Sequence, residues 1–190
     1  MANGISVATA PAHVEETTDN SAFEGLFQRA LNPQGAFADE LRAAGYDLRR
    51  PSPKYPTRVW RACLEVALRH VHPGKPPHEG IRLLGHAFIQ GFFHTIVGKL
   101  VSVALPLLGP DRIAAKFPKY WEATRPGVKI DVIVDNPHRH RLLFRDPHPM
   151  PDFVAGIIEA ALQRAGRPVQ VEVGSRAPIS FEIIVTTPQA

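Results

Sequence analysis

An α+β fold is what this sequence predicts: a helical N-terminal two thirds followed by a β-β-α-β-β unit with a four-stranded antiparallel sheet. Three observations carry the prediction. Up to about residue 120, apolar residues recur at the 3.6-residue spacing of helices buried on one face. After Gly127 the period drops to two, as in a strand with one buried face. Two such alternating pairs flank one amphipathic helix, and segregated helices beside an antiparallel sheet define the α+β class.

Residues 1–20 are small and polar without periodicity, so they are expected to form a disordered tail, and residues 21–187 a single domain. A helix is expected over 22–31, with Phe23, Leu26, Phe27 and Ala30 on one face and Asn20 or Ser21 as its cap. Asn32-Pro33-Gln34-Gly35 breaks it, a second helix runs over 36–44, and Gly45 stops that one. Pro51, Pro53 and Pro56 hold residues 49–56 extended. Pro56 then suits the start of a helix over 57–71, whose Val59, Trp60, Cys63, Leu64, Ala67, Leu68 and Val71 keep the helical repeat. A long helix follows from His78 to Leu105, where Pro106 ends it, and a shorter one covers Asp111 to Phe117. Val128, Ile130, Val132 and Val134 begin the first strand, Asn136-Pro137-His138-Arg139 turns it, and residues 140–145 return. Residues 152–165 form the intervening helix. Val169, Val171 and Val173, then Phe181, Ile183 and Val185, mark the last two strands.

Composition excludes several classes. The chain has 190 residues, 19 of them proline, and a single cysteine, so neither an intramolecular disulfide nor a cysteine-based zinc knuckle can form. Cys63 reads as a small buried hydrophobe on a helix face. The N-terminus has no basic start leading into an apolar core, so it does not read as a signal peptide. The longest uncharged apolar run, residues 100–109, is too short to span a bilayer. A cytoplasmic protein without a membrane span is the expectation. The net charge of +4 is uneven: residues 1–48 and 130–190 carry an acidic excess, whereas 49–129 hold 14 basic against four acidic residues. No run of five basic residues and no nucleic-acid motif accompanies that block, so no nucleic-acid partner is expected.

One segment stands out, Gly85-His-Ala-Phe-Ile-Gln-Gly-Phe-Phe-His-Thr-Ile-Val-Gly98. Glycine costs roughly 1 kcal/mol against alanine inside a helix. On one continuous helix Ala87, Gly91, Thr95, Gly98 and Ser102 share a narrow strip, and small residues at such spacing let another backbone approach. The strip can pack against the chain's own helices, form a homodimer seam, or wall a pocket for an apolar ligand. The pocket reading names Phe88, Gln90, Gly91, Phe92, His94, Thr95 and Gly98 as ligand-binding residues. Arg82, His86, Gln90 and His94 also recur every four residues, as a polar row. His86 and His94 lie two turns, roughly 12 Å, apart and cannot share a metal ion. None of the nine histidines sits in a His-Glu-x-x-His pattern, so no metal site is expected. Serines lack a Gly-x-Ser-x-Gly setting, and Gly98-Lys99 lies within helix rather than in a phosphate-binding loop. No catalytic residues and no cofactor are expected, and the chain does not read as an enzyme.

Several words of the chain resemble a paralogous family of unknown function found in myxobacteria. They are Leu26-Phe27 with Arg29-Ala30-Leu31, the run Leu41 to Asp47, Tyr55-Pro56 with Trp60, and the Gly85–Gly98 segment, in order over about residues 21–187. The architecture also resembles that of haem–nitric-oxide sensor domains, 4-vinyl-reductase domains and transport-particle subunits, which place a hairpin, a helix and a second hairpin after their helices. The resemblance implies a bacterial, non-enzymatic sensory or small-ligand-binding module of signalling type, or a scaffold that dimerises through a helix face. Haem is not implied. Those sensors hold haem propionates with a Tyr-x-Ser-x-Arg motif after the first hairpin, where this chain has Phe144-Arg-Asp146-Pro-His148. The helix that carries their iron-ligating histidine matches Asp111 to Phe117 here, which contains no histidine.

Overall fold

Two apolar clusters, one aromatic and one aliphatic, share a single helix between them. The computed structural model describes residues 16–95, 98, 99, 117–119, 121, 122, 125, 127–164, 166 and 168–188. A short strand β1 (Thr17–Asp19) opens the fold and leads into α1 (Asn20–Phe23), which continues as a wide π-helical segment (Glu24–Leu31). The wider winding shows at its end, where Asn32 N–H bonds Phe27 O five residues back at 2.8 Å. Asn32 is left-handed with φ 45°, a conformation asparagine tolerates better than most residues. Helix α2 (Ala36–Ala43), strand β2 (Lys54–Pro56), helix α3 (Thr57–Val71) and helix α4 (Pro77–Phe92) complete the helical part. The C-terminal part is β3 (Lys129–Asn136), β4 (Arg139–Arg145), α5 (Pro151–Arg164), β5 (Gln170–Ala177) and β6 (Ser180–Thr186).

The sheet runs β3-β4-β6-β5, antiparallel throughout, so each hairpin supplies one edge and one centre strand. Register is set by the pleat: Phe144 lies opposite both Ile130 and Phe181, and Leu142 opposite Val132 and Ile183. These side chains point to one face, where α5 covers them with Val154, Ala155, Ile158 and Leu162. Phe144 and Phe181 stack at 4.4 Å between ring centres. The opposite surface of α5 presents Phe153, Ile157 and Ala160 to the helices. There Phe23, Phe27, Tyr46, Tyr55 and Trp60 form a ring cluster with neighbouring centres 4.6–6.1 Å apart. Helix α5 is therefore apolar nearly all round, as an interior helix should be.

The α+β class and the β-β-α-β-β order stand as the sequence predicts, and α3 spans 57–71 as expected. Two elements differ. Residues 17–19, expected within the disordered tail, pair with β2 instead, and Thr57 N–H bonds Glu16 O at 2.9 Å. Residues 1–15 lie outside the described residues. The long helix expected to reach Leu105 ends at Phe92. Thr95 explains the stop: its Oγ1 donates to Phe92 O at 2.7 Å and accepts from Gly98 N–H at 3.0 Å. Lys99 N–H bonds Thr95 O at 2.9 Å, so Thr95 acts as the N-cap of a new helical turn. A single continuous strip from Ala87 to Ser102 therefore does not exist, and Ser102 lies outside the described residues. Of the helix expected over Asp111 to Phe117, only Phe117 is described; it is helical and packs on Trp121 and Phe144.

Candidate functional site

The glycines that mark α4 in the sequence are points where backbones touch. A Cβ on Gly85 would fall 2.3 Å from Phe153 O, and one on Gly156 would fall 2.1 Å from Arg82 O, so α4 and α5 cross glycine to glycine. A Cβ on Gly91 would fall 1.9 Å from Gly25 O, which brings the end of α4 against the π-helical segment. Gly98 is fixed by the turn, since its Cβ would meet Phe92 O at 1.8 Å. No side chain other than hydrogen fits at these four places without moving a backbone.

These contacts set the side chains of α4. Phe88 and Phe92 stack on each other with centres 5.9 Å apart. Phe88 also meets the Trp60 edge at 6.1 Å and Phe153 at 5.5 Å. Both rings are half-buried, so one side of the pair rests on the aromatic cluster and the other is not closed by it. Gln90 and His94 are exposed, on a different side of the helix end. Of the seven residues expected to bind a ligand, the fold thus brings Phe88 and Phe92 together. It uses Gly91, Thr95 and Gly98 in backbone contacts and leaves Gln90 and His94 at the surface.

The polar row splits in the same way. Its first half meets Glu159 on α5: Arg82 Nε donates to Glu159 Oε2 at 3.1 Å, and His86 Nε2 lies 2.7 Å from the same oxygen. Arg82 Nη2 also donates to Val171 O, which ties α4 to β5 as well. Burial pushes the Glu159 carboxyl up, but the Arg82 and His86 bonds outweigh it and hold it below the usual carboxylate range. Sequence reasoning missed Glu159. The signal available was Arg82 and His86 one turn apart on a half-buried face, a pair suited to sharing one acceptor.

A second carboxylate cluster lies beyond β4. Asp146 is fully buried, and Arg125 donates to both its oxygens at 2.8 and 3.1 Å while also reaching Glu16 Oε1 at 2.9 Å. His148 N–H donates to Asp146 Oδ1 at 2.8 Å. Two further groups are plain core. Tyr46 is pushed up to about 12 by burial, although Gln28 bonds its hydroxyl at 3.0 Å. The Cys63 thiol is pushed up to about 12 by burial alone, which makes it an inert core atom rather than a nucleophile. Among the described residues no cluster of three or more His, Cys, Asp or Glu side chains could hold a metal ion, and no helix is long and apolar enough to cross a membrane.

The family pattern described as "protein of unknown function (DUF2378)" matches residues 16–185. The chain belongs to that family. No curated protein matches it. Solved structures with a similar fold include H-NOX domains. A variant of Tt H-NOX aligns at TM-score 0.68 and 11% identity, covering 90% of this chain and 96% of that one. An H-NOX mutant from K. algicida, Fe(II) and unliganded, aligns at 0.66 and 9%, covering 90% and 97%. An oxygen-binding H-NOX domain related to soluble guanylate cyclases, in its oxygen complex, aligns at 0.65 and 14%, covering 90% and 93%. At such identities the likeness establishes a shared fold. No enzyme family is indicated.

Proposed function

We propose that this chain is a non-enzymatic sensory module that binds a small apolar ligand other than haem, on the wall begun by Phe88 and Phe92. The observation that carries the reading is this stacked, half-buried pair, set on an H-NOX-like fold at the end of a helix locked by glycine contacts. A pocket for an apolar guest needs rigid apolar walls with few polar groups. Gly91, Thr95 and Gly98 serve that wall by fixing where α4 stops, and Gln90 and His94 flank its rim from the surface.

The residues do not fit haem held through its propionates. Asp146, at the position matched to the motif serine, is a fully buried carboxylate with Arg125 already on both oxygens. A propionate beside it would bring two like charges together away from water, which is strongly unfavourable. Phe144, matched to the motif tyrosine, stacks on Phe181 and has no hydroxyl to offer. Residues 95–137 contain no histidine to ligate iron. We place the protein in the bacterial cytoplasm, within a myxobacterial branch of its family and the wider group that includes 4-vinyl-reductase domains and transport-particle subunits.

Native mass spectrometry of the protein purified from its own host tests the reading. A retained small-molecule mass is the expected result. A clean, ligand-free homodimer would replace the sensor by the scaffold reading, in which a helix face joins two copies.

A further inference from the structure

We propose that two copies of this chain pair through the free edge of β3, antiparallel and centred on Val132, so that their four-stranded sheets run on as one. The contact is separate from the ligand wall and does not depend on what Phe88 and Phe92 bind. The ladder shows which backbone groups face out. Asp146 N–H bonds Ile179 O and Thr187 N–H bonds His138 O, each at 2.9 Å. Both bonds continue the β4–β6 register, so the even-numbered residues of β4 bond β6 and the odd-numbered ones bond β3. Lys129, Asp131 and Ile133 lie opposite odd-numbered residues and bond β4 in turn. Ile130, Val132 and Val134 therefore turn their N–H and C=O groups away from the sheet. Ile130 confirms the direction, because its N–H donates to Glu122 Oε1 at 3.1 Å. The outward groups of Val132 and Val134 have no partner among the described residues.

The other edge strand is treated differently. The outward Val171 O of β5 accepts from Arg82, and a bulge interrupts the β5 ladder between Val173 and Arg176. Bulges and covering side chains are the usual ways of closing an edge. β3 instead keeps an unbroken register from Lys129 to Val134. Val134 is 61% exposed, one of two large apolar side chains left so open among the described residues.

Charge selects a second copy as the occupant and fixes its register. A strand laid antiparallel on β3 must set its own outward residues opposite Ile130, Val132 and Val134. With Val132 opposite Val132 of the second copy, Lys129 faces Asp135 of the second copy, and Asp131 faces Ile133 of the second copy. Shifting Val132 to face Ile130 of the second copy would set the two Asp131 side chains against each other. Shifting it to face Val134 of the second copy would set Asp131 against Asp135. Like charges directly opposite are destabilising, and larger shifts leave fewer residues paired. In the centred register Val134 gains Ile130 of the second copy as its neighbour, and its N–H reaches that residue's carbonyl. Ile130 N–H passes from Glu122 to Val134 O of the second copy, while Glu122 keeps Lys129, 3.6 Å from its Oε2. Asp135 is held in place by Arg141 of its own chain at 3.0 Å.

Analytical ultracentrifugation of the full chain over a concentration series tests the contact, and a reversible dimer is expected. Val134→Pro removes an outward donor while leaving the β3–β4 ladder whole, and should weaken the dimer about tenfold. Lys129→Glu sets a carboxylate against Asp135 of the second copy and should also weaken it about tenfold. Ile133→Lys separates the registers. In the centred one its ammonium meets Asp131 of the second copy, and the dimer should tighten about threefold. In either neighbouring register it would meet Lys129 of the second copy or its own counterpart, and the dimer would weaken. Circular dichroism confirms that each variant folds. A monomer at every concentration, a dimer indifferent to both Val134→Pro and Lys129→Glu, or a dimer weakened by Ile133→Lys would each overturn the assignment.

Discussion

Arg82, Gly85 and His86, on the first half of α4, meet α5 through backbone contact and two hydrogen bonds to one carboxylate. Gly91 and the Phe88–Phe92 pair, on the second half, meet the π-helical segment and an aromatic cluster, with Gln90 and His94 left in water. The same helix is thus clamped at one end and faced with rings at the other. The lesson concerns glycine. Both halves need it for close approach, but only the first half adds a polar bond across the contact. Among the described residues the second half is closed by shape, beside the half-buried Phe88–Phe92 pair that we propose as a ligand wall.

The comparison breaks first at the glycines. Gly85→Leu and Gly91→Leu each push a side chain into a backbone carbonyl and should cost roughly 3 kcal/mol or more, measured by urea unfolding. If Gly91→Leu folds with unchanged stability, the contact with Gly25 is not what holds the second half, and a dimer seam returns as its role. Glu159→Ala comes next. It leaves Arg82 and His86 without their acceptor and should cost about 1–3 kcal/mol at neutral pH. The pH dependence has a definite sign. A carboxyl held low in the fold adds stability above its ordinary value, and that stability is lost as pH falls through the lowered one. The gap in melting temperature between wild type and Glu159→Ala should therefore close as pH drops from neutral toward about 3; a gap that stays constant would show that the ion cluster is not its source. Gln90→Ala and His94→Ala sit at the small end, within about 0.5 kcal/mol of wild type by the same unfolding measurement, because neither side chain is buried.

Most of this architecture was legible because period and punctuation agree. Pro56 and the repeat from Val59 to Val71 fix α3, and Asn136 to Arg139 fixes the first hairpin. The end of α4 was not legible, because nothing before Pro106 breaks a helix by propensity. Thr95 does so with a side-chain oxygen that serves both sides of the break, and a threonine in an apolar run gives no warning of that choice. β1 escaped because three residues carry no period, and its pairing with Lys54–Pro56 is decided by folding rather than by local pattern. The π-helical winding at Glu24–Leu31 leaves no mark that distinguishes it from an α-helix. At the candidate site the glycine spacing correctly signalled close approach. The face does not continue as one helix through Thr95, where a side-chain oxygen ends α4.

The most direct measurement is native mass spectrometry of wild type beside Phe88→Ala, both purified from the native host and both checked for folding by circular dichroism. A small-molecule mass carried by the wild type and lost from the variant is the predicted result. The same mass retained in full by folded Phe88→Ala would contradict the assignment of the ligand wall to the Phe88–Phe92 pair.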